Sequence, residues 1–217
     1  MSINPTLLDR TSLAEQLECG LTSVNITLNQ QVIDLLLDYL DLLQKWNRVH
    51  NLTSVRDPEK MVSTHLLDSL SVLPHLPGGP ILDVGSGAGL PGIPLAAANS
   101  NLQITLIEAN QKKAAFLRQA IGELRLSNVQ VVCEKVDEWF PPALFPCIIA
   151  RAYAEISKLI ETSRHLLATN GVIAAMKGRY PETEIKGIPR EFEVKRIIEL
   201  KVPGLDAQRH LVMIGRA

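Results

Sequence analysis

The chain has 217 residues, 46% of them hydrophobic, and a formal net charge of −1. That length suits one large domain or a domain with an extension, and the apolar fraction is enough for a real core. The charge excludes a broad, sequence-blind nucleic-acid binder, which carries a strong basic excess, but it leaves room for a local basic face.

Residues from about Pro5 to Glu18 predict a short helix with Leu7, Leu8, Leu13 and Leu17 as its apolar side. A longer helix is expected from Asn29 to about Arg48, because Val32, Leu36, Tyr39, Leu40, Leu43 and Trp46 recur at helical spacing. That stripe reads as core. Asn51-Leu52-Thr53-Ser54 is a polar break. Asp57-Pro58-Glu59 then starts a helix, with Asp as cap, Pro in the first turn and an acid at the positive dipole end. It is expected to reach about Leu76 and to place His65, Asp68 and Ser69 on one face. This trio suits either the substrate side of a site or a hydrogen-bond cluster joining the extension to the core. Pro77-Gly78-Gly79-Pro80 is a linker, so 1–79 reads as a helical extension and 80–217 as the main domain.

Beyond the linker, strands and helices alternate. Strands are expected at 81–84, 102–107, 129–133, 145–150 and 171–176, and helices at 92–98, 110–125 and 154–167. That alternation predicts an α/β fold, a mostly parallel sheet with helices on both faces. Glu193–Val202 and His210–Ile214 flank Pro203-Gly204 and read as an antiparallel C-terminal hairpin with an antiparallel edge strand. No apolar run is long enough to span a bilayer, and no secretory leader is evident. Cys19, Cys133 and Cys147 lack metal-ligand spacing. No metal is expected, and because Cys133 and Cys147 sit in apolar strand-like runs, buried thiols in a reducing cytoplasm are the default for them.

The organising stretch is Ile81-Leu82-Asp83-Val84-Gly85-Ser86-Gly87-Ala88-Gly89-Leu90-Pro91-Gly92. Strand, glycine loop and helix form the first unit of a nucleotide-binding domain. Gly85, Gly87 and Gly89 remove side chains where the backbone turns or a ligand comes close. The pattern is G-x-G-x-G. Leu90 stands where a dinucleotide fingerprint needs glycine, and no Gly-Lys-Ser/Thr follows to make a P-loop. Glu108 ends the second strand, about 20 residues on, where an acid suits the two hydroxyls of a ribose. A loop without a phosphate cradle plus a ribose acid points to S-adenosyl-L-methionine. Asp83, inside a buried strand, requires a partner, and backbone N–H groups of the loop are the expected one.

Asp83 to Pro94, with its Leu-Pro-Gly-Ile-Pro extension, resembles the bacterial small-subunit rRNA guanine-N7 methyltransferases, the glucose-inhibited division protein B family. Trp46-Asn47, Asn51 to Asp57, His65 with Leu67-Asp68-Ser69, Phe116-Leu117, Arg151-Ala152, Lys177-Gly178 and Arg209 to Val212 are similar too. The resemblance runs from about Asn29 to the end. It implies a class I S-adenosylmethionine-dependent methyltransferase sheet (Rossmann-like), a guanine N7 in 16S rRNA as acceptor, and naked RNA or the assembling small subunit as partner. A cytoplasmic monomer is expected.

Ligands bind beyond the C-terminal strand ends. This assigns Asp83, Gly85, Gly87, Gly89, Leu90 and Glu108 to the cofactor. Val136 and Asp137 follow the third strand, where Val136 would pack on adenine and Asp137 hold its amino group; Asp137 as a surface N-cap for a short turn stays open. Arg151 ends the fourth strand. It suits the cofactor carboxylate, an RNA phosphate, guanine O6 or a structural ion pair, and its expected role is orienting. An Asn/Asp-Pro-Pro-aromatic motif is missing there, and Cys147 lies within the strand, so neither amino-group nor cysteine-based carbon methylation is supported. Lys112, Arg118, Lys177, Arg209 and His210 are expected to form an RNA-facing rim. Competing readings are a protein or small-molecule methyltransferase, a non-catalytic assembly protein, and an NAD-dependent oxidoreductase, which Leu90 disfavours.

Overall fold

A computed structural model describes residues 10–217. The first helix expected from Pro5 lies partly outside them. Within them, α1 spans Arg10–Ser23 and continues past Gly20. A Cβ at Gly20 would sit 2.5 Å from the Leu67 side chain, so the glycine makes a packing notch rather than a stop. The second helix, α2 (Gln30–His50), is capped by Asn29, whose side chain accepts from Val32 N, and ends at Asn51 in a left-handed conformation. Ile33, Leu36, Tyr39, Leu40 and Leu43 form its buried stripe.

The single helix expected over 58–76 is a composite. Short α3 (Pro58–Met61) runs into a π turn at Val62–Leu67, then α4 (Asp68–Leu70) and a 3₁₀ turn at Leu73–His75. A π turn takes an extra residue per turn. It displaces the residues beyond it from strict α-helical phase, and the trio divides: His65 meets Thr53, while Asp68 meets Arg151 and Arg209. Ser69 is fully buried, and its Oγ has no hydrogen-bond partner.

The strands are β1 (Pro80–Val84), β2 (Gln103–Ile107), β3 (Val129–Val132), β4 (Phe145–Arg151), β5 (Leu167–Lys177), β6 (Phe192–Glu199) and β7 (His210–Arg216). They form one sheet in the order β3-β2-β1-β4-β5-β7-β6. β1 pairs in parallel with β2 and with β4, so the strand order reverses there and opens a crevice at their C-terminal ends. The antiparallel strand is β7, inserted between β5 and β6. The hairpin is therefore as expected, but its antiparallel member is interior and the edge strand β6 runs with the others.

The helices are α5 (Gly92–Ala98), α6 (Gln111–Glu123), α7 (Ile156–Ser163) and α8 (Glu182–Lys186), the last unforeseen. Leu82, Val84 and Ile148 face Ile156 and Ile160 of α7 on one side of the sheet. Ile81, Leu106 and Ile149 face α5, α6 and the N-terminal helices on the other. That second core is continuous from Leu13 to Met213, so the extension shares it rather than resting on it. Trp46 packs edge-on against Phe116 with centroids 5.6 Å apart, as a core residue would.

Candidate active site

The glycine loop is held from three directions. Gly85, Gly87 and Gly89 all have positive φ (66°, 58° and 85°), a region closed to most side chains. Gly85 N and Ser86 N donate to Ile107 O at the end of β2. From below, Asp83 Oδ2 accepts from Gly92 N at 3.0 Å. A Cβ on Gly92 would lie 2.7 Å from that oxygen and 2.3 Å from Leu106, which explains why the motif has glycine there. From the extension, the buried Tyr39 hydroxyl donates to Ala88 O at 2.6 Å.

Asp83 thus has the loop partner that its burial demanded, through one oxygen only. Its Oδ1 is buried without a hydrogen bond. Burial pushes its carboxyl up to about 7, against the opposing pull of the Gly92 N–H and of Arg151. Glu108 faces the loop from β2. Its Oε2 accepts from Gly87 N at 2.9 Å and its Oε1 from Asn110 N at 2.8 Å. Each oxygen keeps a second lone pair for a hydroxyl.

Two clefts open at this end of the sheet. The first, about 340 Å3, is lined by Gly85, Glu108, Lys113, Val136, Asp137 and Tyr153. It brings together the expected glycine, ribose acid and adenine residues. Leu90 is not among its walls; it is buried in the core behind the loop. Tyr153 lies across Gly85, so closely that a Cβ there would be 2.4 Å from its ring. The second cleft, about 520 Å3, is lined by Thr53, His65, Asp68, Arg151, Lys177 and Arg209. Ala152 borders both clefts and has φ of 53°, a strained position for a residue with a side chain. Another hollow of similar size, between Gln103, Ser127 and Phe145, lies at the opposite strand ends and has no ionisable residue in its wall.

Charge in the second cleft is organised by one buried acid. Asp68 Oδ2 accepts from Arg151 Nη1 and Oδ1 from Arg209 Nε, both at 2.9 Å. Arg151 Nη1 also donates to Thr64 O at 2.9 Å. The helix cluster joining extension to core is therefore realised, and it lines a cleft as well. His65 Nε2 meets Thr53 Oγ1 at 2.9 Å; burial, reinforced by Arg151, lowers its pKa to about 4. Lys177 donates to Ala154 O and pairs with Glu184 at 2.6 Å, and the same Glu184 oxygen caps α7 through Ile156 N. His210 is buried, with Nδ1 2.8 Å from Gly178 O.

The residues of the expected RNA rim divide into two groups. Lys177 and His210 meet the loop carbonyls of Ala154 and Gly178, and Arg209 pairs with the buried Asp68 carboxylate. Lys112 and Arg118 stay exposed on α6. Cys147 is fully buried, and burial pushes its thiol up to about 12, so it is no nucleophile. Three contributors escaped the sequence reading. Tyr39 looked like one more member of an apolar stripe. Tyr153 follows the fourth strand where no recognisable motif marks it. Thr53 belonged to a loop whose destination no local pattern gives.

The chain matches the family described as rRNA small subunit methyltransferase G over residues 32–212. It belongs to that family. A ribosomal RNA small subunit methyltransferase G from Methylobacillus flagellatus is 52% identical over 93% of this chain and 98% of its own length. Those of Laribacter hongkongensis (48%; 94% and 99%) and Neisseria meningitidis serogroup B (46%; 93% and 98%) are similar to it across the same span. Among solved structures, the glycopeptide N-methyltransferase MtfA with S-adenosyl-L-homocysteine superposes with a TM-score of 0.60 at 11% identity, covering 70% of this chain and 87% of that one. A SAM-dependent methyltransferase from Geobacter sulfurreducens gives 0.55 at 14% identity, over 83% and 98%. These likenesses concern the fold, which the methyltransferase G family shares with methyltransferases of other substrates. Among the described residues, no helix is long and apolar enough to cross a membrane.

Proposed function

We propose that this protein transfers a methyl group from S-adenosyl-L-methionine to N7 of a guanine in 16S ribosomal RNA. The observation that carries the reading is the pair of clefts meeting at Ala152, one walled by the glycine loop and Glu108, the other by Arg151 and the extension. The residues fit the donor. A Cβ on Gly87 would meet only Gly85 O, at 3.7 Å, so the loop leaves open space beside the Glu108 carboxylate. Asp83 Oδ1 is a buried acceptor lacking a donor.

When bound, S-adenosyl-L-methionine supplies an electrophilic methyl group on a sulfonium. In the first cleft, Glu108 would hold the ribose hydroxyls, Val136 would pack on adenine and Asp137 would take its amino group. In the second, the walls would exclude water and hold the base. Guanine N7 has an in-plane lone pair and no proton to lose at neutral pH, so no general base is needed. His65, neutral through burial, is not required to be one. The task is alignment at about 3 Å, and the rate follows from geometry. Arg151, fixed by Asp68 and Thr64 O, orients the acceptor side. Residues 80–217 would hold the donor, while Thr53, His65 and Asp68 of the extension would form one wall of the acceptor cleft.

The test is tritium transfer from methyl-labelled donor to undermodified small subunits and to the matching naked RNA, followed by nucleoside analysis. Label in 7-methylguanosine is expected, and the better acceptor identifies the assembly stage. Tight donor binding without label in either would replace this reading with a non-catalytic assembly role.

A further inference from the structure

The loop between α2 and α3 has two sides. Thr53, Ser54 and Val55 line the acceptor cleft. The next residue, Arg56, lines a separate hollow of about 220 Å3 together with Arg48, Gln44 and Asn47. Thr53 to Arg56 spans at most about 11 Å, so whatever enters the cleft passes within reach of the hollow.

The hollow has the chemistry of an anion site. Arg48 and Arg56 are both exposed. Among the described residues neither has an ion pair or a hydrogen bond. Asn47 is buried, and its Oδ1 accepts from Thr53 N at 2.9 Å, which leaves its Nδ2 as a donor. The nearest acid along the chain, Asp57, is engaged as the cap of α3 through Glu59 N. Two guanidinium forks and side-chain amides in the same wall match phosphate oxygens.

This contrasts with the acceptor cleft, where Arg151 and Arg209 share Asp68 and Lys177 is held by Glu184. The cleft's own cations are committed to the fold, and free cations stand one step outside it. The helix dipole would account for Arg48 in the last turn of α2. It does not account for Arg56, which lies in a loop.

We propose that Arg48 and Arg56 form a backbone-phosphate site for the RNA strand whose target base enters the adjacent cleft. The proposal rests on the methyltransferase reading. It gives the extension a direct role in substrate binding. Phosphate contacts fix the register of the strand, and the cleft selects the base.

The test uses the full chain with Arg48→Ala and Arg56→Ala combined, the charge-reversing pair Arg48→Glu and Arg56→Glu, and Lys158→Ala on α7 as a remote control. Binding to naked 16S RNA is measured at several salt concentrations, alongside donor binding and methyl transfer. The alanine pair is expected to bind donor within twofold of wild type. Its RNA affinity should fall about tenfold, and the salt slope should shrink by about 1 to 2. KM for RNA should rise more than kcat falls, and the glutamate pair should bind RNA worse still. Lys158→Ala should match wild type. An unchanged salt slope in both pairs, with wild type active, overturns this site and leaves the methyltransferase reading standing. Equal losses in the Lys158 control would also overturn it, since charge alone would then explain the effect. A wild type that neither binds nor methylates RNA overturns both.

Discussion

The Tyr39 hydroxyl, carried by a helix of the N-terminal extension, donates a 2.6 Å hydrogen bond to Ala88 O inside the glycine loop. Tyr39 is fully buried, and burial drives its phenol far above its ordinary pKa, so the hydroxyl stays protonated and remains a donor. The extension thereby braces the loop that faces the donor. Tyr39→Phe keeps the packing and strands Ala88 O. We expect a stability loss of about 1–3 kcal/mol, read by urea denaturation, and a weaker donor affinity read by calorimetry. Unchanged donor affinity would restrict the contact to folding.

Two glycines of the loop should fail in different ways. Gly87→Asp meets open space, and aspartate tolerates left-handed φ better than most residues. Its carboxylate would lie near Glu108, whose Oε2 already accepts from that backbone N–H. We expect a folded protein with donor binding abolished. Gly92→Ala instead drives a methyl into Asp83 and Leu106. We expect a lowered melting temperature before any binding defect is measurable. Normal donor affinity in Gly87→Asp would remove the loop from the site.

Much of this was legible because it is local. The glycine cluster, the strand alternation and Glu108 all sit within short windows, and period and spacing carry them. The Asp83 partner followed from the cost of burying a carboxylate alone. The rest depends on contacts distant in sequence. Asp68 meets Arg209 across 141 positions, and Tyr39 meets Ala88 across 49. A cation near a strand end reads as a rim residue until the acid that claims it is placed. The π turn at Val62–Leu67 breaks the period on which face assignments rest. Arg48 and Arg56 belong to a helix end and a loop, and only the fold brings them to one hollow.

Buried Asp83 and His65 should bend the pH dependence of stability in opposite directions. Asp83 has its native pKa raised from 3.8 to about 7. The native state therefore holds more protons than the unfolded state between those values, and stability falls as pH rises through that window. His65 has its native pKa lowered from 6.5 to about 4. The unfolded state holds more protons there, and stability is lost as pH falls from 6.5 to 4. In wild type the two slopes oppose each other. Relative to wild type, Asp83→Asn should steepen the rise of stability with pH between about 4 and 6.5. His65→Gln should deepen the fall instead. Parallel curves for all three proteins in denaturant titrations would refute the assignment.

Asp68 is one carboxylate shared by two guanidiniums, one from the end of β4 and one from the residue just before β7, and it is itself carried by the extension. Removing it leaves Arg151 and Arg209 close together and partly buried without a counter-charge. Asp68→Ala should cost about 3–5 kcal/mol, the usual penalty for breaking a buried pair from one side. Asp68→Asn keeps an acceptor oxygen for one arginine and should cost less, which makes it the useful variant for function. Arg151 would then lose half of what fixes it, keeping the Thr64 carbonyl. We expect the asparagine variant to bind donor normally while kcat falls at least tenfold, because base orientation and not donor capture depends on that guanidinium. Arg209→Ala separates the roles of the two arginines. It leaves the Asp68–Arg151 pair intact, so it should retain most of kcat. If Arg209→Ala and Asp68→Asn lower kcat equally, the cleft depends on its total charge and not on a held Arg151.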